Sequence, residues 1–590
     1  MNTQSAAQPE SPVSPLWTPQ PPRWVARAEP NPEVAETLAR ELELPAALCR
    51  FLALRGFTQP DSAKRFLKPR LEDLPDPFLL AGMTEAVARL QRAISTNEKI
   101  FVHGDYDVDG ICSAALYTRV LRSLGATVEG FVPHRLTDGY DLGHAGVRAA
   151  AEFGATVILT GDCGIVAHEA VQAARDLGID VIVTDHHTPG PELPDCCAVI
   201  NPNRSDCRYP EKGLAGVGVA FKLCQALAKT YGLADDALWY YLDLVAVATI
   251  ADLAPLTGEN RTLTRYGLKV LKESRNPGLA ALLHTAGLSE HPVLAAGQIS
   301  HVLAPRINAV GRMSEAARGV KLLLEDDPER ARVIAQSLEE ENRTRQEVDR
   351  ATLAQALAML EGDFDPARNR VIVLAAEGWH PGVIGIVASR VVELLHRPTI
   401  LIALEPGGDR GRGSARSIPA FHLYNALNSC AHYLERFGGH KYAAGLEIRT
   451  DNIARLRADL EAYAAEVLTP DDLVPELCFD LEVTIAEANA DLLRLMRHLG
   501  PHGVGNPSPV FVARGVCVSG YPKIVGDNHL KLQLVQDNAR LSAIGFRMAH
   551  RLNDIDVTRG TIDVAFQLHV ERYNGNEYIQ AKLLDLRPTA

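Results

Sequence analysis

The chain has 590 residues, 46% hydrophobic and 23% charged, with a formal net charge of −13 at neutral pH. That length exceeds what one hydrophobic core organises, so several domains of about 100–200 residues each are expected. The negative balance argues against a protein that coats nucleic acid nonspecifically, which needs Lys and Arg against phosphates, but it leaves room for a local basic groove and for carboxylates that bind cations. The longest apolar stretch, Leu238–Leu253, is interrupted by Asp243 and Asp252. It falls short of the roughly 18 uninterrupted residues of a membrane span, so no membrane role is expected. The first residues, MNTQSAAQPESP, lack the basic head and apolar run of a secretory signal. The ten cysteines include no C-x-x-C spacing, and a reducing cytoplasm is the default.

Residues 1–32, rich in Pro, Ser, Gln and Ala, are expected to be disordered. A helical entry region over 33–80 follows, with Leu38, Leu42 and Leu44 ahead of LCRFLALRGF. Within a domain placed at 81–325, the β-rich runs KIFVH, TVEGFV, TVILT and DVIVT alternate with helical stretches. That rhythm predicts a parallel sheet with crossover helices, whose ligand sites lie beyond the carboxyl ends of the strands. A charged, nearly Gly-free segment then reads as one long helix in a linker at 326–364, with Asp327 as cap and Pro328 in the first turn. Such a helix spans between domains more often than it packs inside one. A second α/β unit at 365–460 starts with RVIVLAAEGWHPGVIGIVASRVVELL. From 470 to 590, runs such as VFVARGVCVSG, LKLQLV and DVAFQLHVERYNGNEYIQAKLL predict a small β domain with a hairpin turn at Asn574 and Gly575. The fold class is therefore α/β and multidomain, with a β domain at the end.

The first strand runs into HGDYDVDG, which places His103, Asp105, Asp107 and Asp109 within seven residues directly before a helix. Adjacent carboxylates repel unless a cation joins them. An acidic loop with one helix-capping Asp is the bland alternative. TVILT ends in GDCG and offers Asp162, which alone reads equally as a turn former. DVIVT ends in DHHTPG and offers Asp185, His186 and His187, a set that fits Mn²⁺ or an ordinary surface pair of histidines. The conjunction is more telling than any member, because three strands of one sheet deliver metal-type ligands at the same edge. Asp252 joins them after an apolar run, where an unpaired buried carboxylate is costly. A mixed His/Asp set suits two Mn²⁺ or Mg²⁺ ions rather than thiolate-bound zinc. Two such ions about 3.5–4 Å apart activate water, neutralise phosphate and stabilise the leaving oxygen of an in-line displacement. Phosphoester hydrolysis is the leading reaction class.

HGDYDVDG, GDCG, DHH and ATIADLAPL resemble the four metal-site motifs of the DHH phosphoesterases. The resemblance implies that His103 and Asp107 bind one ion, Asp109 and His186 the other, that Asp162 bridges, and that Asp252 completes the set. It makes Asp105 and Asp185 orienting groups and gives His187 a phosphate or proton-transfer role, so Asp105, Asp162 and His187 are the expected catalytic residues. GWHPGVIGIVASR, GSARS and GGHKYAAG resemble the DHHA1 substrate-binding domain, with Ser389, Arg390, Arg416 and His440 available to phosphate. The RGF…FLKP region, APRINAVGR, the long helix, PHGVGNPSPVF and a β domain that looks like an OB fold resemble, in that order and over roughly residues 24–590, the single-strand-specific 5′ exonucleases of the group. That likeness implies a 5′-phosphate pocket of Arg135, Ser414 and Arg416, a base-stacking Tyr140, and backbone contacts from Arg306, Asn308 and Arg312. It implies single-stranded DNA threaded 5′ end first between the DHH and DHHA1 units and cut to 5′-mononucleotides, in recombination and repair. A single-stranded-DNA-binding protein and a helicase are the expected partners. Two alternatives stay open: a short-oligonucleotide or cyclic-dinucleotide phosphodiesterase, and an inactive DNA-binding scaffold, against which the six retained ligands weigh.

Overall fold

The computed structural model describes residues 20–589 apart from 135–137, 140, 314–315, 363, 527, 556–559 and 574–575, and describes the backbone alone of 235, 310–313, 572, 573 and 576. Two compact units divide the chain: Ala26–Glu339 with Cys478–Ala590, and Glu340–Leu477 with the N-terminal strand up to Val25.

That strand, β1 (Arg23–Ala26), precedes three short helices, α1 (Pro32–Leu42), α2 (Ala46–Leu54) and α3 (Pro60–Leu67). Asn31 caps α1 by accepting from the Glu33 and Val34 amides, and Pro32 opens the helix where a missing N–H costs nothing. Disorder, expected through residue 32, is not what residues 23–32 show. Backbone pairing holds them, from Arg23 N–H to Pro475 O and from Arg27 N–H to Phe479 O. The entry helices bury Leu38, Leu48, Phe51 and Leu52 in one core with Phe511, Val564 and Phe566 from the carboxyl-terminal end of the chain.

After α4 (Met83–Ser95) comes a five-stranded parallel sheet of β2 (Lys99–Gly104), β3 (Thr127–Phe131), β4 (Val157–Gly161), β5 (Asp180–Thr184) and β6 (Ala198–Ile200), in the order β3-β2-β4-β5-β6. The crossovers are α5 (Val108–Ser123), α6 (His144–Phe153) and α7 (His168–Asp176). Both faces of β4 are covered, and its sequence is accordingly a continuous run rather than an alternation. Because β2, β4 and β5 are neighbours, the loops beyond their carboxyl ends meet. Three helices follow, α8 (Gly216–Thr230), α9 (Leu242–Ala251) and α10 (Gly258–Lys272). All but the last residue of α9 are buried, so its apolarity serves the core; among the described residues no helix is long and apolar enough to cross a membrane. Later comes a 33-residue helix, Pro328–Leu360, whose cap Asp327 accepts from the Glu329 and Arg330 amides at 2.9 Å.

The next domain is a mixed sheet, order β10-β11-β9-β8-β7, built from β7 (Ile372–Glu377), β8 (Thr399–Leu404), β9 (Arg410–Arg416), β10 (Leu434–Gly439) and β11 (Ala443–Arg449). Only β7 and β8 pair in parallel, connected through the Ile384–Leu395 helix. After β12 (Glu476–Phe479), which pairs with β1, the last domain contains β13 (Leu481–Glu482), β14 (Phe511–Val525), β15 (His529–Gln536), β16 (Ala539–Gly545), β17 (Thr561–Tyr573) and β18 (Asn576–Pro588). Pairing of β14 with both β15 and β17 closes strands β14 to β18 into a five-stranded barrel of the OB type. The expected turn at Asn574 and Gly575 lies outside the described residues, bracketed by the Tyr573–Asn576 pair. The chain thus adopts the expected α/β architecture: a parallel-sheet domain, a long helix, a second α/β domain and an OB-like barrel.

Candidate metal centre

Beyond β2 the chain turns through Asp105 and Tyr106 into α5, capped by Asp107, whose Oδ1 accepts from the Asp109 and Gly110 amides at 2.9 and 3.1 Å. The turn is tight enough that a Cβ on Gly110 would lie 2.2 Å from the Asp105 nitrogen. Asp109 faces the start of α8, where its two oxygens accept from the Gly216 and Val217 amides, each at 2.7 Å. A helix amino terminus thereby holds a buried carboxylate. Beyond β4, Asp162 adopts φ +65°, a left-handed conformation that costs a non-glycine residue about 1 kcal/mol or more. Its amide donates to Thr184 O at the end of β5 and pins the turn there.

Beyond β5, Asp185 organises the loop. Its Oδ1 accepts from the His186 and His187 amides and from His187 Nδ1 at 2.8 Å, and its Oδ2 from the Ile165 amide. Asn201 and Asn203, past β6, donate to the carbonyls of His187 and His186.

Three sets of ligand atoms result, each within 4.8 Å: Asp162, His186 and His187; Asp109, His186 and Asp252; Asp105, Asp107 and Asp162. Asp162 and His186 each belong to two sets, so the three form one continuous centre. His186 Nε2 lies 3.1 Å from Asp162 Oδ1 and 3.8 Å from Asp252 Oδ2. Among the described residues neither His186 Nε2 nor Asp162 Oδ1 has a hydrogen-bond partner, and Asp105 Oδ1 and His103 Nε2 are likewise buried without one. A buried polar atom left so costs about 1–3 kcal/mol, a cost that a cation among them removes. His103 stands outside the three sets. Its ring packs 5.4 Å from that of Phe131, its Nδ1 lies 3.6 Å from Cys163 Sγ, and a Cβ on Gly146 would come within 2.6 Å of its Nε2.

Four of the carboxyls, Asp105, Asp109, Asp162 and Asp252, are shifted toward their protonated forms. Burial and then the Asp107 charge push Asp105 up to about 8 and Asp252 up to about 7, with His187 opposing both shifts. Asp109 and Asp162 are raised by burial and neighbouring carboxylates. Burial lowers His103 to about 4, and burial with the charge of His187 brings His186 to about 4, so both are neutral lone-pair donors. Burial opposes charge on His187 too, but its bond to Asp185, with Asp252 and Asp105 nearby, holds it up at about 9. The donor set is carboxylate oxygen and neutral imidazole with no thiolate, which fits Mn²⁺ or Mg²⁺, and an entering cation displaces the protons.

In the second α/β domain, Ser414 and Arg416 lie on β9, and Arg416 Nη1 donates to Ser414 Oγ at 3.2 Å. The Ile384–Leu395 helix approaches them so closely that a Cβ on Gly385 would meet Ser414 Oγ at 2.8 Å and Arg416 Nη2 at 3.0 Å. A hydroxyl, a guanidinium and a helix start are donors of the kind that suit an anion. One turn on, Ser389 Oγ donates to Gly385 O, while Arg390 is ion-paired with Asp349 at 3.2 Å. His440 is exposed between β10 and β11. On the Ala304–Met313 helix, Arg306 is paired with Glu339 at 2.5 Å and Asn308 is half-buried. Arg135, Tyr140 and the side chain of Arg312 lie outside the described residues.

Several groups at the centre escape a reading of motifs: Gly216 and Val217, Asn201, Asn203, Cys163, and Asp141, which at φ +74° accepts from the Gly164 amide and ties the loop after β3 to GDCG. The glycines of GLAGVG before an apolar helix were the available signal for the first pair.

Models of three families match the chain: the DHH family N-terminal domain over residues 99–249, the DHHA1 domain over 368–466 and the RecJ OB domain over 479–585. The single-stranded-DNA-specific exonuclease RecJ of Bacillus subtilis strain 168 is 35% identical over 95% of this chain and 70% of its own length. The protein of that name from Escherichia coli is 36% identical over 94% of this chain and 98% of its own. Among solved structures, RecJ of Thermus thermophilus in complex with Mn²⁺ superposes with a TM-score of 0.81 at 33% identity, covering 96% of this chain and 79% of that one. Its complex with Mg²⁺ gives 0.76. With about one residue in three shared over almost its whole length, and the strand-end carboxylates and histidines in one centre, the chain belongs to the RecJ family of DHH phosphoesterases.

Proposed function

We propose that this chain is a divalent-cation-dependent exonuclease that degrades single-stranded DNA from its 5′ end to 5′-mononucleotides in recombination and repair. The observation that carries the reading is the continuous ligand centre at the ends of β2, β4 and β5, with its buried and unpartnered donor atoms. Relatives named single-stranded-DNA-specific exonucleases match nearly the full chain, and the RecJ OB model matches the barrel.

In this reading His103, Asp107, Asp109, Asp162, His186 and Asp252 hold two Mn²⁺ or Mg²⁺ ions, which when bound supply Lewis acidity at a phosphate and activate water. The α8 amides hold both oxygens of Asp109 against that charge. His187, kept protonated and oriented by Asp185, donates to a non-bridging phosphate oxygen. Asp105 Oδ1 accepts from the attacking water. Ser414 and Arg416 take the terminal 5′-phosphate, with Ser389, Arg390 and His440 as further phosphate contacts. Arg135 and Tyr140 serve phosphate binding and base stacking, and Arg306, Asn308 and Arg312 the DNA backbone. For Arg306 and Arg390 this requires exchanging their present carboxylate partners for phosphate.

On the barrel, Lys523 faces Lys531 across β14–β15, Lys531 faces Ile544, and Ile544 faces Lys582, one row on the outer surface. Phe546, exposed at the end of that face, lies under Lys582 at 5.7 Å. Like charges directly opposite destabilise a sheet, and an aromatic among cations suits a single strand, so this face is read as the strand platform. A reducing cytoplasm fits ten free cysteines. A helicase and a single-stranded-DNA-binding protein would supply the substrate, because bases paired in a duplex cannot reach such a platform.

The test is digestion of 5′- and 3′-end-labelled single and double strands, with Mn²⁺ and Mg²⁺ compared and a dinucleotide alongside. The expected result is mononucleotides from the 5′ end of single strands alone. A ladder shortening from the 3′ end overturns the polarity, and preference for the dinucleotide overturns the substrate.

A further inference from the structure

Asp252 follows the end of α9, and the chain leaves it through Leu253 at φ +58°, then residues 254–257, into α10. The Asp252, Leu253 and Ala254 amides bond back to the Ala248, Ile250 and Thr249 carbonyls of α9, and the rest of the loop is held from elsewhere. Asn260, in the first turn of α10 and 3% exposed, donates through Nδ2 to Pro255 O at 3.1 Å and to Gly213 O at 2.6 Å. Pro255 lies in the Asp252 loop, and Gly213 leads to the Gly216 and Val217 amides that hold Asp109. One amide group thus spans the supports of two carboxylates. Next to it, Arg261, 2% exposed, points the other way and donates to the carbonyls of Phe66, His498, Leu499 and Gly500.

Those last carbonyls open the segment that leads into the barrel. The segment is tied to itself: Asn506 donates from Nδ2 to Leu499 O and Pro501 O, and Gly503 and Asn506 exchange backbone bonds. It closes on the Asp252 loop through Leu256 N–H to Val504 O at 2.7 Å. Fit is tight, since a Cβ on Gly503 would lie 2.7 Å from Leu256 Cδ1 and one on Gly505 3.1 Å from Thr257 Cγ2.

Given the ligand set proposed above, on which this rests, we infer that Asn260 and the segment 498–506 are positioning elements of the metal centre, and that the barrel, through this segment, tunes cation affinity at Asp252 and Asp109. Groups behind metal ligands typically contribute about 10–100-fold in affinity.

The experiment compares Asn260→Ala, Gly503→Ala and Asp252→Ala in the full chain. Mn²⁺ binding is read by electron paramagnetic resonance, single-strand affinity is measured without added metal, and thermal midpoints are taken on the metal-free proteins. The expected result is Mn²⁺ affinity at one site lowered about tenfold or more in Asn260→Ala and Gly503→Ala. Metal-free DNA affinity stays at wild type, and the midpoint remains a single cooperative transition. If either variant unfolds, the other carries the comparison. Wild-type Mn²⁺ affinity in the folded variants, or a loss of DNA affinity with Mn²⁺ binding intact, overturns the inference. Mn²⁺ binding unchanged in Asp252→Ala as well would instead remove the ligand assignment beneath it.

Discussion

Replacing Gly216 by alanine tests how closely the centre is packed. A Cβ at that position would lie 2.6 Å from both Cβ and Oδ1 of Asp162 and 2.8 Å from its Cγ. Ordinary contact begins near 3.4 Å, so something moves by about 0.8 Å, and a displacement near 1 Å at a reacting centre costs about a hundredfold. α8 resists the move, because Val217, Val219, Ala220, Phe221 and Leu223 are buried along it. The carboxylate is therefore the part that yields, although its backbone is pinned to Thr184. In Gly216→Ala, kcat on a 5′-labelled single strand is expected to fall about a hundredfold, and the Mn²⁺ needed for half-maximal rate should rise. Helix propensity favours alanine over glycine by up to about 1 kcal/mol, so a large fall in the metal-free thermal midpoint is not expected. Rates and half-saturating Mn²⁺ within threefold of wild type would refute the reasoning.

Asp162→Ala should lower hydrolysis by about a thousandfold, several kcal/mol of barrier at about 1.4 kcal/mol per decade, while gel-shift binding of single strands persists; full activity sinks the proposed mechanism. The metal-free protein gains stability from the raised carboxyls, Asp105 at about 8 and Asp252 at about 7, while they are protonated. That contribution is complete below the unfolded value near 4 and is lost as pH rises through 7 to 8, so the rise in thermal midpoint on adding Mn²⁺ should be larger at pH 8.5 than at pH 6. Equal rises at both would contradict it. Arg416→Ala, removing a charge-assisted contact worth about 1.5–3 kcal/mol, should cut the preference for 5′-phosphate over 5′-hydroxyl ends by about 10–100-fold, read as separate KM values. Lys531→Ala with Lys582→Ala should weaken single-strand binding and reduce its logarithmic salt slope by about 1.4; an unchanged slope removes the barrel face from the strand path.

Most of the residues that the three groups of donor atoms bring together were legible in the sequence. Parallel strands buried on both faces write themselves as apolar runs, the loops beyond them carry the chemistry, and Asp107 even announces its second task as the cap of α5. His103 shows the limit of that legibility. Its position at the end of β2 is visible in sequence, but its surroundings, Phe131, Cys163 and Gly146, come from other elements. The braces were equally hidden. Gly216 acts on the carboxylate of Asp109, and Asn260 and Arg261 on carbonyls that include distant ones; apart from the glycines of GLAGVG, no local pattern marks them.

By itself the sequence determined what is local: helix caps, strand runs, the alternation of α and β, and the types of donor atom at three strand ends. Only the tertiary structure decided that the entry helices share a core with the barrel, and that the segment before that barrel closes on the loop of Asp252. Periodicity marks which face of an element must be buried but not against what. The partner of an apolar face or a buried amide is chosen by packing between segments far apart in the chain, which no local pattern records.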